Sequence, residues 1–87
     1  MTKFEVKVYP ENHPESELTC GGLEFLRETT EKLLEGAEKP VPSYSKMLCE
    51  NGYWKIIFND LYSVIWFVST FKDFTVQNEK LEFYFVH

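Results

Sequence analysis

Long apolar runs are missing from this 87-residue chain. Its longest apolar stretch, Leu61 to Phe71, is about half the ~20 residues that a membrane-spanning helix requires. The start, Met-Thr-Lys-Phe-Glu-Val, is charged where a signal peptide needs an apolar segment, so a cytoplasmic protein with no membrane contact is expected. Cysteine is scarce: Cys20 and Cys49 show neither CxxC spacing nor the density of a secreted disulfide scaffold, and are expected as two thiols in a reducing compartment. There is no GxGxxG and no GK[ST], which removes the common phosphate-binding loops. The Gly21-Gly22 pair before a helix could expose amides to an anion, but Glu17 and Glu24 oppose one there.

Catalytic and metal constellations are also lacking. Cys20 lies near a helix start, with His13 seven residues upstream as a base, but no Asp or Asn is spaced to orient that histidine. His13, His87, Cys20 and Cys49 contain no pair at the short spacing that preorganises zinc. The carboxylates form an open row rather than a dyad with opposed environments. No cofactor, metal or catalytic residue is therefore expected.

What the chain does have is segregated charge. Residues 11–38 hold eight glutamates against Arg27 and Lys32, a net −6, and the remainder of the chain sums to +1. Glu24, Glu28, Glu31, Glu35 and Glu38 recur at steps of four, three, four and three, so on one helix they occupy an arc of about 80°. Glu15 and Glu17 precede them. Phosphate contacts need lysine and arginine, so this face disfavours nucleic acid and favours a basic protein surface, such as that of a nucleic-acid-processing enzyme. Full imitation of DNA is not expected: the row carries one charge per ~5 Å, against one per ~1.7 Å of duplex axis. A solvated face is the competing explanation, with Glu28–Lys32 and Glu35–Lys39 as ordinary i,i+4 pairs worth ~0.3 to 0.5 kcal/mol each.

Aromatic residues are skewed the other way, with eleven of fifteen in the last 35 residues. Lys3 to Tyr9 alternates as a half-buried strand, and Pro10 to Glu17 is a loop. Thr19 caps a helix whose apolar period runs from Leu23 to Gly36. Tyr44–Glu50 and Tyr53–Phe58 flank Asn51-Gly52, a type I′ hairpin signal, and Lys80–Val86 is a last strand. For Leu61–Phe71, spacing and an Asp60 cap favour a helix, whereas Tyr62, Trp66 and Phe67 and the lack of strong helix formers favour a strand after an Asn59-Asp60 turn.

The strand reading is preferred, and it gives a single α+β domain over residues 1–87, with one amphipathic helix on an antiparallel sheet of four to five strands. The helical reading gives a βαββαβ ferredoxin-like split sandwich. One helix cannot cover every aromatic, so Tyr53, Trp54, Tyr62, Trp66 and Tyr84 are expected to offer a second surface for partner docking or homodimerisation. The functional expectation is a small acidic, non-enzymatic binding protein that inhibits a partner by occupying its basic surface, a profile of size and charge shared by phage-encoded antagonists of bacterial defence. The alternative is a self-associating structural or regulatory subunit whose acidic face serves solubility.

Overall fold

The computed structural model describes residues 3–86. Alternation builds β1 (Phe4–Pro10), in which Val6, Val8 and Pro10 are buried and the intervening side chains face away. α1 (Cys20–Glu35) starts where Thr19, in extended backbone, accepts a hydrogen bond from the Gly22 amide at 3.1 Å. Leu23, Leu26 and Thr30 form its buried stripe. β2 (Tyr44–Cys49) and β3 (Trp54–Phe58) follow. Then come α2 (Leu61–Phe71), β4 (Thr75–Val76) and β5 (Glu79–Val86).

All strands join one antiparallel sheet in the order β2-β3-β1-β5-β4. β1 and β2 both run antiparallel to the β3 between them, so they are parallel to each other and linked through α1. β3 and β5 stand in the same relation about β1 and are linked through α2. The two split βαβ units interleave, which is the ferredoxin-like arrangement with the two-residue β4 added. The fold is α+β, and it carries two helices rather than one.

Leu61–Phe71 is thus a helix and not the strand that propensity favours. Asp60 accepts from the Ser63 amide at 2.8 Å, and Val64, Phe67 and Phe71 bury themselves at steps of three and four. Tertiary burial outweighs propensity differences of a few tenths of a kcal/mol per residue, because each large side chain removed from water contributes about 1.5 to 3 kcal/mol. Asn59-Asp60 consequently forms no hairpin.

Both helices lie on one face of the sheet. Phe67 packs on Phe58, Phe71 and Phe83 at centroid distances of 4.7 to 5.9 Å, joining α2 to β3 and β5. Trp54 is completely buried, and its indole N–H donates to the Thr19 carbonyl at 2.9 Å, pinning the start of α1 to β3. The β2–β3 turn differs from expectation, since only Gly52 has positive φ (89°). A type I′ turn needs two such residues, and the chain places them instead at Gln77 (57°) and Asn78 (65°), between β4 and β5.

Candidate partner-binding surfaces

The acidic row survives folding with a changed composition. Glu24, Glu28, Glu31 and Glu35 are exposed along α1, while Glu38 is exposed but lies beyond the helix, which ends at Glu35. Two members are already engaged. Glu24 pairs with Arg27 at 2.5 Å, and Glu31 accepts from the Tyr44 hydroxyl. Burial, reinforced by that hydrogen bond and by the Glu31 charge, pushes the Tyr44 hydroxyl up to about 12, with Arg27 acting in the opposite direction.

Glu28, Glu35 and Glu38 make no ion pair or side-chain hydrogen bond among the described residues. The expected Glu28–Lys32 and Glu35–Lys39 pairs are not formed. Glu15 and Glu17 are exposed in the loop before α1, where the Glu17 carbonyl accepts from the Gln77 side-chain amide at 3.0 Å.

The expected aromatic surface divides three ways. Trp54 belongs to the core and offers nothing to a partner, because alternation along β3 turns it inward with Ile56 and Phe58. Trp66 is half-buried against Phe71, and Tyr62 is exposed on the outer side of α2. Tyr53 joins an aromatic cluster on the open sheet face: it stacks on Tyr9 at 4.8 Å, Tyr9 meets Tyr84 edge-on at 5.4 Å, and His13 tilts against Tyr9 at 4.6 Å. The Lys7 ammonium lies 5.7 Å from the Tyr53 ring centre.

The cysteines correct a chemical expectation. Cys20 and Cys49 form a disulfide, Cα–Cα 5.4 Å, across a separation of 29 residues. The start of α1 docks beside the end of β2, a closeness that no short spacing announces. A bonded sulfur is not a thiolate, so the Cys20–His13 nucleophile has no basis. The argument for a reducing compartment fails with it, because disulfides persist in oxidising surroundings. Among the described residues no three His, Cys, Asp or Glu side chains cluster to hold a metal, and no helix is long and apolar enough to cross a membrane.

A groove of about 530 Å³ between α2 and the end of β5 was not foreseen. Leu61, Val64, Ile65 and Val68 form one wall, and Phe4, Phe85 and Val86 form the other. Leu61 is 55% exposed, Ile65 57% and Phe85 54%, values rare for such side chains clustered together on a monomer. The signal available in the sequence was Leu61 and Ile65, four apart on the helical reading and off the Val64–Phe67–Phe71 stripe. Compared with protein families, with curated proteins and with solved structures, the chain matches none.

Proposed function

We propose that this chain is a non-enzymatic binding protein that occupies a basic surface of a partner protein, such as the nucleic-acid-binding surface of an enzyme, with the outer face of α1. The observation that carries the reading is the state of Glu28 and Glu35. Each has a lysine four residues on, yet neither forms an ion pair among the described residues. Their carboxylates stay hydrated, with full capacity for lysine or arginine from outside. Glu24 and Glu31 contribute field but are partly committed to Arg27 and Tyr44.

Inhibition follows from occupancy: a partner whose basic site is covered by this face loses access to its polyanion. A cytoplasmic location, expected from the charged start of the chain and from two free thiols, is not part of the proposal, because the disulfide removes the second of those supports. A self-associating subunit is the second reading, favoured by the uncovered groove beside β5.

The test is capture of basic proteins from a cell lysate by the parent and by a Glu28→Lys/Glu35→Lys variant. The parent should retain partners that elute as salt rises, and the variant should lose them. Lys32→Glu/Lys39→Glu is the control and should retain them at least as well. Arg27 is unsuited to that control, since it also donates to the Met47 carbonyl at 3.2 Å. Equal capture by parent and Glu→Lys variant would reduce the row to a solvated face.

A further inference from the structure

We infer that two copies of this chain associate by pairing their β5 strands antiparallel, so that each copy covers the other's apolar groove. The inference stands whether or not α1 engages a basic partner.

The two sides of the sheet are guarded differently. Edge strand β2 carries the exposed Lys46, a bulge between Tyr44 and Lys46, and a carbonyl, that of Met47, taken up by Arg27. Such features stop an edge from recruiting another strand. β5 is protected only at its start, where β4 pairs with Glu79 and Lys80. From Leu81 to Val86 its outer edge has no strand partner among the described residues, and its ladder to β1 runs without a bulge. That segment has no proline or lysine, and Glu82 is its one charged residue. The Lys80 carbonyl accepts from the Glu11 amide, so residues of that parity turn their backbone groups toward β1. Leu81, Phe83 and Phe85 therefore turn theirs outward, where a further strand would find them.

Side chains select the occupant. An added strand must be apolar on both faces, because Phe85 and Tyr84 project to opposite sides of the sheet and both are about half exposed. β5 is itself such a strand. A two-fold axis at Tyr84 stays clear of β4 and pairs residues 82–86 of the two copies. It sets Phe83 opposite Phe85 of the second copy on the helix side, and the two Tyr84 rings opposite each other on the open side.

Leu61 and Ile65 flank the same edge, so the pairing brings both α2 helices toward the shared seam. With Tyr84, Phe85 and Val86 they offer on the order of 500 Å² of surface per copy, a large part of the ~800 Å² per partner in a standard interface. The α1 glutamates do not oppose the contact. The body of α1 packs beside β2, and its start, where the Thr19 amide donates to Gln77 in the β4–β5 turn, reaches the β5 side outside residues 82–86.

The test is sedimentation equilibrium of the purified chain from micromolar to near-millimolar concentration, with hydrogen exchange read at single amides. The parent should approach twice 10.3 kDa. The amides of Phe83 and Phe85 should gain protection as concentration rises. Tyr84→Lys sets like charges across the axis and Ile65→Lys charges the groove wall. Both residues are exposed, so each variant should keep the parent's circular dichroism while its dissociation constant rises about tenfold or more. Leu48→Lys, an equally crude change on the guarded edge β2, should leave association unchanged. A parent that stays monomeric throughout, with those amides exchanging freely, would mean that a different chain or none takes the edge and would overturn the inference. Association that survives both Tyr84→Lys and Ile65→Lys would overturn it as well.

Discussion

At the scale of single residues, two side-chain partnerships set testable chemistry. The Cys20–Cys49 bond closes a loop spanning 29 residues, and loop-closure entropy assigns such a bond about 3 to 4 kcal/mol. Cys20 is exposed, so a reductant can reach it. Reductant should lower the denaturation midpoint of the parent and leave a Cys20→Ser/Cys49→Ser variant unmoved, and alkylation of the native parent without reductant should label neither sulfur. Labelling of both would sink the pairing. Tyr44 supplies the pH dependence. Its folded-state pKa is raised from 10.0 to about 12, so its contribution is fully present below pH ~10 and is lost as pH rises through the interval up to about 12. Absorbance titration should show a tyrosine step near pH 12, and Tyr44→Phe should remove that step together with the matching part of the alkaline loss of stability.

At the scale of elements, glycine chemistry separates packing from propensity. A Cβ on Gly22 would stand 2.5 Å from the Gln77 side-chain oxygen and 2.9 Å from the Trp54 ring, whereas one on Gly36 meets nothing within 4 Å. Gly22→Ala gains helix propensity of up to ~1 kcal/mol yet must displace a buried indole, so a net loss of about 1 to 2 kcal/mol is expected in chemical denaturation. Gly36→Ala should be neutral or slightly stabilising; equal effects at the two sites would show that close approach does not govern Gly22. The same contrast explains what the sequence disclosed. β1 and the Thr19 cap were legible because alternation and capping are local rules, and β3 was legible as well, although its inward parity was not applied to Trp54. α2 was misjudged because its identity is settled by Phe67 meeting Phe58 and Phe83, side chains of other elements that local periodicity does not bring together. β4 escaped notice because its turn uses Gln77-Asn78 rather than a glycine pair. In the candidate site, the row from Glu24 to Glu35 was legible from helical spacing alone. The groove was not, since it needs α2 to be a helix and β5 to be an unprotected edge.

At the scale of the whole molecule, charge and apolar surface are kept apart. Exposed glutamates line α1 beside β2, whereas Lys7, Lys46, Lys55 and Lys80 share the open sheet face with Glu5 and Glu82. The β5 edge between them is nearly uncharged. The two proposed contacts should therefore respond oppositely to salt. Capture through Glu28 and Glu35 depends on charges near water, whose reach falls from ~10 Å at 0.1 M salt to ~3 Å at 1 M, so it should weaken steeply. Self-association through β5 joins copies that each carry a net −5, so screening removes a repulsion and the dimer should hold or tighten. Substitutions should separate the two in the same way. Glu28→Lys/Glu35→Lys moves the net charge from −5 to −1, two reversals of +2 each; it should abolish capture and leave the dimer intact or stronger. Tyr84→Lys should disrupt the dimer while a monomer still captures basic partners. Loss of both properties from either change alone would mean that α1 and the β5 edge act as one composite surface, joined where Gln77 of the β4–β5 turn bonds Thr19 at the start of α1.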